Sequence, residues 1–169
     1  TLARSDAGVL TPHVEESDAV EIVTRMVDRL RPRADQKGID LVLDAPEPVS
    51  ALVDQGLLGQ CVWNLTDNAL KFADRGGHVR VAVSEHADEV VLQVEDDGPG
   101  LGPLDASRPF ERFFRADEAR TRGPEAAGTG LGLAIVKAVA EAHGGRATAE
   151  NRSTRGARFT VRFPLIRSR

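Results

Sequence analysis

Three short runs in this 169-residue chain combine residue types that handle nucleotides and phosphates. The first is Asn64-Leu65-Thr66-Asp67-Asn68-Ala69-Leu70-Lys71. On a helix, at about 100° per residue, Asn64, Asn68 and Lys71 fall within roughly 60° of one another, so two carboxamides and an ammonium share one stripe. A carboxamide oxygen is a hard, neutral ligand that suits Mg²⁺, and a lysine neutralises phosphate oxygens as a point charge. Asn and Lys are also ordinary on a solvated helix face. Asn is a poor helix former, however, so a mid-helix pair asks for a reason.

The second run is Asp96-Asp97-Gly98-Pro99-Gly100, which follows an alternating apolar segment. A carboxylate at a strand end can accept a hydrogen bond from an exocyclic amine such as that of adenine, and glycines let backbone approach a ligand closely. The same residues also make a plain tight turn. They do not make a calcium loop, because the alternating acidic ligands and the distal Glu are missing. The third run, Gly128-Thr129-Gly130-Leu131-Gly132-Leu133, opens a helical pattern. Free N–H groups and the positive end of the dipole favour an anion there, and a flexible linker would use the same residues. Its spacing is not that of the dinucleotide fingerprint, and no GxxxxGK[ST] loop is present. Between these runs, Phe110, Phe113 and Phe114 supply three of the six phenylalanines within five positions, as lid anchors or as a satellite cluster.

The elements that must carry these runs are legible from periodicity. Val20, Val23, Val27 and Leu30 give helical spacing from Asp18 to Gln36, with Lys37-Gly38 as the stop. Ile39 to Leu43 alternates as a strand. Asp54 is an N-cap candidate for a long helix to about Ala73, whose apolar arc is Leu58, Cys61, Val62, Leu65, Ala69 and Phe72. Strands are expected at 78–84 and 89–95 around a turn at Ala87-Asp88, and at 146–151 and 157–163. A last helix is expected from Thr129 to His143, stopped by Gly144-Gly145. From Asp96 to Gly130 the apolar period is lost, the mark of disorder or a functional lid. The order predicts an α+β fold: a two-layer sandwich of three helices on a mixed, mainly antiparallel sheet of about five strands.

Composition narrows the function. Hydrophobic residues are 41% and charged residues 28%, a globular balance, and the net charge of −4 counts against nonspecific nucleic-acid binding. One cysteine, Cys61, allows no internal disulfide and no Cys-rich metal site. No apolar run reaches the roughly 20 residues that cross a bilayer, and Thr1 to Ser17 lacks the pattern of a secretion signal.

Together, and in this order, the runs resemble the boxes of the histidine-kinase ATP-binding domain, a superfamily that also holds DNA gyrase B, Hsp90 and MutL. Asn64 to Phe72 resembles the N box, Asp96 to Gly100 the first glycine box, Phe110 to Arg115 the F box, and Gly128 to Val136 the second glycine box. His143-Gly144-Gly145 and Gly156-x-x-Phe159 also suit the family, although Ala157-Arg158 departs from its usual small residue and Thr or Ser. The resemblance implies ATP and Mg²⁺ as cofactors. It makes Asn68 the Mg²⁺ ligand, Asn64 an assistant to metal or phosphate, Lys71 a phosphate partner, and Asp96 the adenine acceptor flanked by Gly98 and Gly100. Phe110 and Arg115 would belong to a lid over 101–127, and Gly128, Thr129, Gly130, Leu131 and Gly132 would frame the phosphates.

Hydrolytic relatives resemble this pattern with a Glu at position 64 that activates water. The amide of Asn64 cannot serve as that base, which favours transfer to another acceptor. None of His13, His78, His86 and His143 sits in the family's acceptor setting, so all four are expected to be structural or exposed. The resemblance therefore implies residues 18–169 as a kinase catalytic domain and residues 1–17 as the tail of a preceding segment. It implies a histidine-bearing dimerisation domain of the same parent as first partner and a response regulator downstream. The fragment is expected to be monomeric and cytoplasmic, with any membrane anchor elsewhere in the parent.

Overall fold

The computed structural model describes residues 10–101, 110 and 132–166. A single carboxylate organises the first two layers. Asp18, at the end of β1 (Glu15–Asp18), accepts from the Val20 N–H at 2.9 Å and so caps α1 (Ala19–Lys37). It also accepts from the Val49 N–H at 3.1 Å, which fixes the entry to β3 (Ser50–Val53). Ile22, Val23, Val27, Leu30 and Ala34 form the buried stripe of α1. Pro32 lies inside the helix without ending it; the end comes at Gly38, whose N–H closes on the Ala34 and Asp35 carbonyls.

The second helix, α2 (Gln55–Phe72), starts where the sequence places it. Asp54 is its N-cap, accepting from the Leu57 N–H at 3.0 Å. Leu58, Cys61, Val62, Leu65 and Ala69 are buried as the arc predicts, joined by Leu57, Thr66 and Leu70. At its far end Lys37 of α1 donates to the Leu70 and Lys71 carbonyls at 2.8 and 3.0 Å, so two carbonyls of its last turn are satisfied from a neighbouring helix.

The main sheet has five strands in the order β2-β4-β5-β7-β6. These are β2 (Asp40–Asp44), β4 (His78–His86), β5 (Glu89–Asp96), β6 (Arg146–Asn151) and β7 (Ala157–Pro164). β2 runs parallel to β4, while β4–β5, β5–β7 and β6–β7 are antiparallel. Ala87 and Asp88 both take positive φ (50° and 62°), the geometry of a two-residue hairpin turn. The helices, completed by α3 (Gly132–Ala142), cover one face, where Val79, Val81, Val83, Leu92, Val94, Phe159, Val161 and Phe163 are buried. The other face is closed by ion pairs instead: Glu95 meets Arg80, Arg152 and Arg158 at 3.0, 3.2 and 3.3 Å. The two-layer α+β sandwich is as expected.

The sequence did not disclose the small sheet in which β1 pairs antiparallel with β3, Glu15 opposite Val53. Both strands have only four residues; β1 is Glu-Glu-Ser-Asp with no apolar signal, and β3 hides behind Pro46 and Pro48. It is held by its neighbours, since the Leu52 N–H bonds to the Ile166 carbonyl at 2.8 Å and Ala51 and Val53 are buried.

Candidate functional site

The helix α2 is the spine on which the sequence-predicted residues meet. Asn64 points its amide nitrogen into a place shut off from solvent, where it has no hydrogen-bond partner among the described residues. A buried donor left unpaired costs free energy that an incoming oxygen acceptor would recover. Gly132, the first residue of α3, lies directly against it: a Cβ there would sit 3.7 Å from the Asn64 side-chain carbon. The start of the glycine-led helix therefore meets α2 at Asn64. Asn68, one turn on, is half-buried, and its carboxamide bonds to no other described residue.

Lys71 is not a free cation. Its ammonium lies 3.2 Å from Asp67, which also pairs with Arg33 of α1, and the Arg33 guanidinium in turn stands 5.4 Å from the centre of the Trp63 ring. Arg33 thus leaves Asp67 a second counter-charge if Lys71 turns to another anion. Neither Arg33 nor Asp67 stood out in the sequence.

Asp96 closes β5 with 2% exposure. Burial pushes its carboxyl above the ordinary range, against the pull of backbone N–H groups of Gly98 and Ala157; Asp97 adds to the rise and Arg152 opposes it. The Gly98 bond is 2.9 Å long. A carboxylate has about four acceptor positions, so two such bonds leave room for an amine. Gly98 itself is required by close approach, because a Cβ would overlap the carbonyl of Phe72 at the end of α2. Gly100 packs on Asn151, whose side-chain oxygen accepts from the Leu101 N–H at 2.7 Å.

Two contacts along α2 are defined by Gly132 and Gly98. The glycine-led helix touches α2 at residue 64, the aspartate loop touches it at residue 72, and Asn68 lies midway. Eight residues of helix span about 12 Å, the scale of an extended nucleotide. Phe110 is buried and stacks edge-on against Phe159 with centroids 6.0 Å apart, so it anchors in the core. Arg115, Gly128, Thr129, Gly130 and Leu131 lie outside the described residues.

Sequence reasoning overlooked the connection between β6 and β7. Asn151 and Arg152, Arg155, Gly156 and Ala157 all grip the aspartate loop. Only Gly156 carried a signal, as the glycine of Gly156-x-x-Phe159. Its φ of 100° and its fit against the Asp96 carbonyl admit no side chain. A cavity of about 540 Å³ opens behind this loop, lined by Asp74, Arg75, His78, Asp97, Arg152 and Arg155 among others. Asn64, Asn68 and Asp96 do not line it. Asp97 faces that side; burial raises its carboxyl, but the His78 backbone and ring bonds outweigh this and hold it low.

The residues fit a magnesium ion only in part from the protein. Among the described residues no three His, Cys, Asp or Glu side chains cluster to hold a metal. An ion here would take the Asn68 oxygen and draw its other ligands from phosphate and water, a coordination Mg²⁺ favours. The histidines are structural or exposed. The His143 Nδ1–H donates to the Val139 carbonyl at 2.9 Å and Nε2 accepts from the Asp54 N–H at 3.0 Å, while His13, His78 and His86 lie at the surface. No described helix is long and apolar enough to cross a membrane.

Comparison with known proteins matches residues 53–167 to the family described as histidine kinase-, DNA gyrase B- and HSP90-like ATPases. The sensor-like histidine kinase SenX3 of Mycobacterium tuberculosis H37Rv is 36% identical over 165 residues, 98% of this chain and 40% of that protein. The chain therefore spans about two-fifths of these relatives. The solved mycobacterial sensor histidine kinase MprB shares 31% identity at a TM-score of 0.77, covering 92% of this chain and 99% of that one. Full-length ShkA in complex with AMPPNP shares 30% identity at a TM-score of 0.83, covering 98% of this chain and 34% of that one.

Proposed function

The chain belongs to the histidine kinase-, DNA gyrase B- and HSP90-like ATPase family, as an ATPase catalytic domain of the sensor histidine kinase kind, and on that premise we propose that it binds Mg·ATP and transfers the γ-phosphate to a histidine on a separate domain. The observation that carries this is the buried amide of Asn64, without a partner among the described residues and beneath Gly132, on the same helix whose end receives the Asp96 loop. The relative ShkA, seen with AMPPNP, supports the nucleotide.

In this reading Asp96 accepts the adenine amino group, and Gly98 and Gly100 keep the loop close enough for it to do so. Asn64 donates to a phosphate oxygen, and Asn68 presents its oxygen to Mg²⁺. Lys71, released from Asp67 by the alternative partner Arg33, neutralises phosphate charge. The ion, when bound, would screen the charge of the triphosphate. Gly128 to Leu131 would offer backbone N–H groups at the start of α3. Position 64 bears an amide and no base, so these residues position and neutralise without activating water, which is what phosphoryl transfer chiefly needs.

The acceptor would be a histidine in a helical dimerisation domain of the same parent, to which residues 1–17 lead, with a response regulator as the next recipient. The domain would then be the cytoplasmic part of an anchored sensor. ATP titration with and without Mg²⁺, followed by labelling of a separately supplied histidine-bearing helical domain, tests the reading. Binding without any labelling sinks the transferase assignment. Turnover above about 1 s⁻¹ in the isolated chain points to a hydrolytic clamp instead.

A further inference from the structure

The connection between β6 and β7 contributes no residue to the proposed contacts with ATP, yet it meets the aspartate loop at several points. Arg152 donates from Nη1 to the Asp96 carbonyl at 3.0 Å, and its Nε stands 3.2 Å from Glu95. Arg155 donates from Nε to the Gly98 carbonyl at 2.9 Å and from Nη2 to Asp74 at 3.0 Å. Asp74 lies two residues beyond α2, so Arg155 ties the loop to the end of the helix that carries Asn64 and Asn68. Gly156 fits against the Asp96 carbonyl with no space for a Cβ, and the Ala157 N–H reaches the Asp96 carboxylate. The main chain of the loop is thus gripped from one side by guanidinium groups and from the other by the end of α2.

We propose that Arg152 and Arg155 are positioning residues of the nucleotide site: Arg155 sets the distance between the adenine-reading loop and the metal-bearing helix, and Arg152 keeps the Asp96 carboxylate in its acceptor form. This rests on the reading of Asp96 as the adenine acceptor. The charges around Asp96 make the second role specific. On either side of it in the chain stand Glu95, on the same strand, and Asp97, just past the strand end, both acidic. Glu95 is matched by Arg80 of β4 and Arg158 of β7 besides Arg152, while Asp97 is matched by His78. Asp74, from the segment after α2, is matched by Arg155. Arg152, bonded to the Asp96 main chain, is a cation whose attraction opposes the burial of Asp96 and the charge of Asp97, alongside the Gly98 and Ala157 N–H groups. Its removal leaves a buried carboxylate beside a second acid, so Asp96 takes up a proton more readily and stops accepting.

The experiment is calorimetric titration of the full chain with Mg·ATP between about pH 4.5 and 8. Variants are Arg152→Met, Arg152→Lys, Arg155→Ala and Arg155→Lys, with Arg146→Gln as control because Arg146 pairs with distant Glu89. Wild-type affinity falls on the acid side as Asp96 is protonated. In Arg152→Met that acid limb moves to higher pH, whereas Arg152→Lys keeps it near the wild-type position. Arg155→Ala weakens binding about three- to tenfold at every pH with the limb unmoved, and Arg155→Lys recovers part of the loss, since one ammonium can meet one of the two partners. A limb unmoved in Arg152→Met, or wild-type affinity in Arg155→Ala, overturns the corresponding assignment. Failure of the wild-type chain to bind Mg·ATP is a different result and overturns the proposed function.

Discussion

Two aspartates show how one residue type is put to opposite uses. Asp96 is buried and lifted above the ordinary carboxyl range, so its favourable effect on stability exists in the protonated state. That effect is present below the unfolded value, about pH 4, and is lost as pH rises through the folded value. At neutral pH the ionised group is a stability cost, which the proposed role in adenine recognition would account for. Asp54 is the reverse: burial raises it, but the Leu57 and His13 N–H groups and the nearby His143 together hold it low. Its contribution is present above about pH 4 and is lost as pH falls toward its folded value. Asp96→Asn turns part of the acceptor into a donor and should weaken ATP binding tenfold or more in calorimetry, while raising the denaturation midpoint or leaving it unchanged. Asn68→Ala should leave Mg²⁺-free binding near wild type and abolish the gain that Mg²⁺ gives. Asn64, Asn68 and Asp96 could be picked out from the sequence because each is a polar residue set against a local rule, mid-helix or at a strand end. Arg152 and Arg155 could not, since surface arginines are common in this chain and their meaning lies in which carbonyl they reach.

At the scale of elements, helices and hairpins followed from periodicity to within a few residues. The reason is that α2 and the β4–β5 pair carry long, regular apolar patterns, with caps at Asp54 and a turn at Ala87-Asp88. The β1–β3 sheet failed the same reading because its stability comes from neighbours across the chain and not from its own residues. The α2 start is a joint as well as a cap. Asp54 accepts from His13 and Leu57 and donates its own N–H to His143 at the end of α3. Asp54→Ala should therefore cost at least the usual cap value of about 1 kcal/mol in urea denaturation, and Asp54→Asn much less. Gly98→Ala tests the contact between loop and helix. Its Cβ would collide with the Phe72 carbonyl, so the loop must lift, and ATP affinity should fall further than overall stability does.

For the whole molecule, strand order places Asp96 and the strand start that helps to hold it on either side of a single junction. β4–β5 and β6–β7 are hairpins between neighbours in sequence, whereas β5 and β7 pair across 63 to 75 residues, from Glu95 opposite Arg158 to Glu89 opposite Pro164. Asp96 ends β5 and Ala157 begins β7, so the carboxylate and the backbone N–H that helps to hold it are brought together only when this central seam is closed. A chain with both hairpins formed and the seam open has secondary structure but not the Asp96 environment that the proposed adenine contact requires. A ligand that binds only the closed form lowers the population of the open one by mass action. Amide hydrogen exchange along β5 and β7 should accordingly slow when ATP is added, more than exchange in the β4–β5 turn. Nucleotide would act as a fastener on the sheet as well as a phosphate donor, and a domain starved of it would come apart first down the middle.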